Sequence, residues 1–301
     1  MNVLITGAWR YTAADLEEIH ALGHCVWEMP EESGSLPCDP REIDAVIGNN
    51  VFAYHPIEAF TALRYVQLTS AGVDRVPLAY MRERGITLYN ASGVYSIPMA
   101  EFALAGVLDL YKQGRYFDGN QSLHRWEKHR GLRELAGKTV CILGCGSVGN
   151  ECAIRFGAFG CRVIGIDPLP REDHRYEAIH TSESLTTWLS AAQILVLSMP
   201  LTEETYHLLD QRTLALLPDG AVVVNLARGA VVDTPALLSA MRERELYAVL
   251  DVFEEEPLPA DSPLWDMPNL RLSPHNSFVG EGNAKRLTDL ILGNLRKNGF
   301  S

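Results

Sequence analysis

The stretch Lys138 to Asp167, KTVCILGCGSVGNECAIRFGAFGCRVIGID, reads as strand, glycine turn, helix, strand and acid. Thr139 to Leu143 is a short apolar run suited to a strand buried in a parallel sheet. Gly144, Gly146 and Gly149 follow in the order G-x-G-x-x-G. In that pattern the first glycine permits a tight turn, the second lets the backbone approach a pyrophosphate, and the third lets the helix pack closely on the strand. A helix beginning near Ser147, with Val148 in its first turn, would present its amides and dipole to the phosphates. A second strand, Cys161 to Ile166, leads into Asp167-Pro168, with the acid 18 residues beyond Gly149. A carboxylate there accepts hydrogen bonds from both adenosine ribose hydroxyls and repels a 2′-phosphate, which favours NAD over NADP. On the motif alone, an ordinary βαβ turn and a methionine-derived nucleotide stay open as alternatives. It names no reaction.

Working outward, 301 residues leave room for two domains, each with its own core. A chain that is 47% hydrophobic and 21% charged has a soluble globular composition. The formal net charge of -12 argues against nucleic-acid binding, since a phosphate backbone would be repelled. No apolar run approaches the ~18 residues of a membrane span. The opening MNVLITGAWR lacks the basic start and long apolar core of a signal peptide and reads as a first strand. The six cysteines, Cys25, Cys38, Cys141, Cys145, Cys152 and Cys161, include no C-x-x-C pair. Four of them fall within the nucleotide unit at positions that cannot converge on a metal, so no metal site is expected. They fit small reduced residues of a cytoplasmic protein.

Residues 1 to about 90 alternate strand and helix. Val3–Ile5, Cys25–Glu28, Ala45–Gly48, Tyr65–Leu68 and Ile86–Tyr89 are strand candidates, and Ala13–Leu22 a helix opened by Thr12. Pro30–Pro40, rich in Glu, Ser, Gly and Pro, is expected to be an exposed loop. Nothing here resembles a phosphate signature, so this domain is assigned to the substrate. Ser70-Ala71-Gly72-Val73-Asp74 follows the fourth strand, where ligands of open α/β sheets bind, and could offer amides to a carboxylate. A plain strand-to-helix turn is the alternative. Asn49, Asn50, Tyr54 and Tyr95 are candidates for contacting the substrate side chain.

Ser96 to Tyr111 is apolar nearly all round, which predicts a buried crossover helix. Lys112–Arg133 is polar, with Trp126 between His124 and His129, and reads as an exposed arm suited to dimerisation. The alternation then resumes with strands Ile194–Ser198, Ala221–Leu226, Tyr247–Asp251 and Leu270–Ser273, a helix Pro235–Glu243 and a closing amphipathic segment Ala284–Lys297. Three strand ends thereby present Arg228, the acids after Asp251, and His275 on the side where the cofactor would lie. Arginine can hold a carboxylate or carbonyl oxygen in forked geometry, and histidine can exchange the hydroxyl proton near neutral pH. A nearby carboxylate would orient the ring and keep it charged.

Over nearly its whole length the chain resembles the D-isomer-specific 2-hydroxyacid dehydrogenase family. The matching motifs are LGCGSVG with Asp167, SMPLTEET (198–205), NLARGAVVD (225–233), LDVFEEEPLP (250–259) and SPHNS (273–277). The resemblance implies two Rossmann-like or flavodoxin-like parallel-sheet α/β domains with a cleft between them, the nucleotide domain (98–281) inserted in a substrate domain (1–97 plus 282–301). It makes Arg228 the substrate-binding arginine, Glu256 the acid partner and His275 the general acid/base. Ala71 and Gly72 match the turn whose amides hold the substrate carboxylate. Pro200, Thr205, Ala227 and Asp251 match positions lining the cofactor, and Pro168, His275 and Ser277 are counted with them. The implied reaction is reduction of a small 2-oxo acid, of glyoxylate or hydroxypyruvate type, to the D-2-hydroxy acid by NADH; the cysteines and the exposed arm add the expectation of a cytoplasmic homodimer. Formate dehydrogenases carry an amide where Glu256 stands, which speaks against formate oxidation. An NAD-responsive corepressor-like sensor is the alternative on the same fold. Phe102 stands where many relatives carry histidine, Asn276-Ser277 replaces an apolar-small pair, and the segment from Arg228 to Glu256 is one residue short. Arg171 reads as an exposed loop arginine. Cys145, inside the glycine turn, is expected near the pyrophosphate and shielded there by NADH.

Overall fold

The computed structural model describes residues 1–297, in which the chain divides into two compact units, Met1–Tyr95 with Gly280–Ser301, and Ser96–Val279. The sequence reading set its boundaries two residues further along, at 97 against 95 and at 281 against 279. The last four residues of its substrate domain, 298–301, lie outside the described residues.

The smaller unit is built on five parallel strands, β1 (Asn2–Thr6), β2 (Cys25–Met29), β3 (Ala45–Gly48), β4 (Tyr65–Leu68) and β5 (Thr87–Tyr89), in the order β2-β1-β3-β4-β5. That is the flavodoxin-like order, with its topological switch between β1 and β3. Helix Ala13–Ala21 starts at a capping box, Thr12 accepting from the Asp15 amide while the Asp15 carboxylate accepts from the Thr12 amide. The returning helix Asn283–Lys297 lays Leu287, Ile291, Leu292 and Leu295 at i, i+4, i+5 and i+8 spacing over one sheet face, against Val3, Ile5, Ala45 and Ile47. It is fixed polar-on-polar by Trp9 Nε1 donating to Thr288 Oγ1 at 3.0 Å and Asn294 Nδ2 donating to Gln67 Oε1 at 2.8 Å. The expected exposed loop Pro30–Pro40 departs from that reading at Glu32, whose carboxylate accepts from the Thr6 hydroxyl and the Asn49 and Asn50 amides. A carboxylate that must satisfy a hydroxyl at the end of β1 and two amides after β3 is drawn inward, and composition carries no sign of that.

The larger unit holds seven parallel strands, β6 (Thr139–Leu143), β7 (Arg162–Ile166), β8 (Ala178–His180), β9 (Ile194–Leu197), β10 (Ala221–Asn225), β11 (Leu246–Leu250) and β12 (Leu270–Leu272), ordered β12-β11-β10-β9-β6-β7-β8. The order reverses at β6/β9, the doubly wound arrangement. β9 and β10 are buried at every residue, which is why Ile194–Leu197 and residues 221–224 read as unbroken apolar runs. Phe156, fully buried on the helix Ser147–Ala158, packs the glycine-rich helix into this core. The edge strand β8 escapes a sequence reading because Ala178-Ile179-His180 holds only one large apolar residue and makes no apolar run. Helix Ser96–Tyr111 is half-buried rather than buried: Ala100, Ala103 and Val107 face inward at helical spacing while Glu101 and Ala105 are exposed. Gly106 lets it sit against Val249, where a Cβ would come within 2.6 Å of Val249 Cγ1. Beyond helix Gly114–Ser122 the arm is irregular, with Trp126 97% exposed and both His124 and His129 outside any helix.

Candidate active site

The strand ends of the larger unit set the site. At β6, Gly144 has φ 89°, a left-handed conformation that suits glycine, and a Cβ there would lie 2.7 Å from the Met199 amide at the end of β9. The two sides of the switch point therefore meet backbone to backbone. A Cβ at Gly149 would overlap the Gly144 carbonyl, so the helix closes directly on the turn. Gly146, the N-cap of helix Ser147–Ala158, has open space where its Cβ would be. That is the clearance a pyrophosphate needs beside the amides of Ser147 and Val148. These residues fit a dinucleotide on their own geometry.

Asp167 closes the same turn from β7. Its Oδ2 accepts from the Cys145 amide at 2.8 Å and its Oδ1 from the Leu169 amide at 3.0 Å. Both oxygens keep lone pairs for further donors. Arg171 is exposed in its loop as the sequence suggests; it also lies 4.0 Å from Asp167 and donates to the Cys145 carbonyl, so it caps the glycine turn. Cys145 departs from expectation. Its side chain is fully buried, facing Gly165 and Tyr176, and burial pushes the thiol up to about 11. At the end of β9, Thr205 Oγ1 donates to the Pro200 carbonyl at 2.8 Å and accepts from the Thr202 amide at 2.7 Å, bracing the loop that sequence reading assigned to the cofactor.

The ends of β10, β11 and β12 are neighbours, and each carries one member of the predicted catalytic set. After β10, Asn225 shapes the turn: its Oδ1 accepts from the Ala227 amide at 3.0 Å and its Nδ2 donates to the Arg228 carbonyl at 3.0 Å. Arg228 Nη1 donates to the Ala227 carbonyl at 2.8 Å. Gly229 then passes so close to the loop after β11 that a Cβ would overlap the Phe253 carbonyl. In that loop the Phe253 amide donates to Glu256 Oε1 at 2.9 Å, and Glu256 Oε2 lies 2.7 Å from His275 Nδ1. The acid is thus held by backbone on one oxygen and holds the histidine with the other.

His275 has φ 48°, unusual for a residue with a side chain. Asp251 is what keeps it there. Its carboxylate is 1% exposed and accepts from the Asn276 amide at 2.7 Å, the Ser277 amide at 3.0 Å and the hydroxyls of Ser273 and Ser277. Its own carbonyl accepts the His275 amide at 2.8 Å. Asp251 and Ser277, predicted as cofactor-lining, have their polar atoms committed to this turn.

The remaining predicted residues, Ala71 and Gly72, follow β4 in the smaller unit. Asn225 and the internal duties of Asp251 were missed. A lone asparagine at a strand end is a turn signal, and N-L-A-R-G could have been read that way. No cluster of three or more metal-ligating side chains exists among the described residues. No helix among them is long and apolar enough to cross a membrane.

Residues 104–277 match the model of the D-isomer specific 2-hydroxyacid dehydrogenase, NAD binding domain. Over 242 residues the chain is 34% identical to an (S)-sulfolactate dehydrogenase of Chromohalobacter salexigens, covering 79% of this chain and 78% of that one. It is 33% identical over 244 residues to a glyoxylate reductase of Korarchaeum cryptofilum, covering 79% and 74%. Among solved structures, a D-isomer specific 2-hydroxyacid dehydrogenase from Xanthobacter autotrophicus in complex with NADPH and MES superposes with TM-score 0.78 at 30% identity, covering 98% of this chain and 94% of that one.

Proposed function

Because the chain belongs to the D-isomer specific 2-hydroxyacid dehydrogenase family, we propose that it reduces a small 2-oxo acid, of glyoxylate or hydroxypyruvate type, through Arg228, Glu256 and His275. It is an oxidoreductase acting on CH–OH donors. The observation that carries the assignment of roles is the 2.7 Å contact between His275 Nδ1 and a Glu256 carboxylate fixed by the Phe253 amide. With Nδ1 facing an acceptor, that nitrogen carries a hydrogen and Nε2 is left for substrate. The protonated ring gives its Nε2 hydrogen to the carbonyl oxygen as that oxygen becomes a hydroxyl. Glu256 complements the charge of the imidazolium, and the forked Arg228 guanidinium neutralises the charge developing on oxygen. The amides of Ala71 and Gly72 hold the substrate carboxylate. The dinucleotide supplies the hydride when bound, held by Gly144, Gly146, Ser147, Val148, Gly149 and Asp167, with Pro168, Pro200, Thr205 and Ala227 alongside.

NAD is the proposed cofactor in preference to NADP, on the strength of Asp167 at the ribose end of the turn. The NADPH-bound relative and Arg171 beside Asp167 make this a point for direct measurement. Oxidation of NADH and of NADPH by glyoxylate, hydroxypyruvate, pyruvate and bulkier 2-oxo acids tests substrate class and cofactor together. Turnover with one or more acids, faster with NADH, supports the reading. Preference for NADPH overturns the role given to Asp167, and no turnover with any acid favours the sensor. The exposed arm around Trp126 supports a homodimer, checked by light scattering. Six free cysteines support a reducing, cytoplasmic compartment.

A further inference from the structure

The turn after β4 has all four of its successive carbonyls occupied. Tyr95 donates its hydroxyl to the Thr69 carbonyl, the Ala91 amide donates to the Ser70 carbonyl at 2.9 Å, Asn90 Nδ2 donates to the Ala71 carbonyl at 2.7 Å, and Ser70 Oγ donates to the Gly72 carbonyl at 3.0 Å. Each peptide is planar, with its C=O and the following N–H pointing in opposite directions. Holding the Ala71 carbonyl therefore aims the Gly72 amide away from Asn90, and holding the Ser70 carbonyl aims the Ala71 amide away from Ala91. The amides of Ala71 and Gly72 donate to no group among the described residues. The result is a pair of amides held in one direction, with no carbonyl free to turn among them.

We infer that Asn90 and Tyr95 are positioning residues for substrate carboxylate recognition, Tyr95 fixing the Thr69–Ser70 peptide at the start of the turn and Asn90 the Ala71–Gly72 peptide, so that the amides of Ala71 and Gly72 converge on one anion. The inference rests on the reading that this turn binds the carboxylate. Asn90 is suited to the task because both ends of its amide are used: its Oδ1 accepts from the Ser92 amide at 3.2 Å while its Nδ2 holds Ala71. Its side chain therefore has one orientation. Tyr95 is a phenol whose burial pushes its hydroxyl above the usual range, so it remains a hydrogen donor at working pH. Without Asn90 the Ala71–Gly72 peptide is free to flip, since glycine on its far side tolerates either orientation. A flipped peptide presents a carbonyl oxygen to the substrate carboxylate, and repulsion replaces a hydrogen bond.

The experiment uses Asn90→Ala and Tyr95→Phe in the intact enzyme, with glyoxylate and its uncharged amide, glyoxylamide, as probes. Each variant is expected to raise KM for glyoxylate about 10- to 30-fold, the loss of one or more charge-assisted hydrogen bonds. The preference for glyoxylate over glyoxylamide should narrow by a similar factor, with kcat within about threefold and the KM for NADH within about twofold. A lowered melting temperature with unchanged glyoxylate KM would mean a merely structural role and overturn the inference. Gly72→Pro, which deletes the amide hydrogen itself, separates the inference from its premise. If Gly72→Pro raises the glyoxylate KM while Asn90→Ala and Tyr95→Phe do not, the turn binds carboxylate without these positioning residues. If none of the three changes it, the turn is not the carboxylate site and both fall.

Discussion

Replacing Asp251 with alanine should both destabilise the larger unit and slow turnover, because this carboxylate organises the turn that carries His275. It is 1% exposed and accepts two backbone amides and two hydroxyls. The hydroxyls of Ser273 and Ser277 can rotate to other acceptors or to water. The amides of Asn276 and Ser277 cannot. A buried donor left unsatisfied costs about 1–3 kcal/mol, more where the lost acceptor was charged. Two such amides, one of them on the 4% exposed Ser277, give a loss of about 3–5 kcal/mol. At about 2–4 °C per kcal/mol for a domain of this size, the melting temperature should fall by roughly 6–20 °C. Released from the Asp251 network, His275 has no reason to hold φ 48°, and a misplaced acid/base group costs about 10²-fold in turnover. Calorimetry and steady-state kinetics on Asp251→Ala, with Ser277→Ala as the milder control at about 1 kcal/mol, would check both parts. A variant melting within about 2 °C of the parent and turning over normally would refute the reasoning.

Two further outcomes follow from the same geometry. Glu254 accepts from the Thr234 amide at 3.0 Å and lies 2.6 Å from His207 Nε2. Burial pushes its carboxyl up, but these hydrogen bonds outweigh it and hold the carboxyl below the ordinary glutamate value. Its folded-state affinity for protons is thus lower than its unfolded-state affinity, so its stabilisation is present above the unfolded value near pH 4.5 and is lost as pH falls through the folded one. Glu254→Gln should therefore lower the melting temperature at pH 7 more than at pH 3.5, and an equal drop at both would contradict the pairing. Thiol labelling at pH 8 should modify the exposed Cys25 first and spare Cys145, Cys141 and Cys152, whose thiols burial pushes up to about 11, 12 and 12. NADH should not change the rate at Cys145, and rapid labelling there blocked by NADH would show the thiol to be accessible after all.

Most of the fold was legible because most of its strands are largely buried and announce themselves as apolar runs: Thr139–Leu143, Ala45–Gly48 and Tyr65–Leu68 begin and end as the sequence suggested. The helix Ser96–Tyr111 was placed correctly, but its burial was overstated, since its exposed face holds Ala105 and a single charge, Glu101, and so looks apolar. β8 was lost because Ala178-Ile179-His180 holds a single large apolar residue and so shows no apolar run. At the site, motif residues could be named but not their internal work. Nothing local in the sequence tells that an acid anchors a turn, and the carboxylates of Asp251 and Glu32 both do. Cys145 illustrates the same gap at the glycine turn: its amide and carbonyl are bonded to Asp167 and Arg171 while the thiol points into the core.

The most direct test of the account is turnover of His275→Gln, since glutamine fills a similar space beside Glu256 but cannot deliver a proton as imidazolium does. The account predicts that kcat with the best 2-oxo acid falls by about 10² to 10⁴ while NADH binding, followed by fluorescence titration, changes by less than about threefold. Near-wild-type turnover in that variant would contradict it.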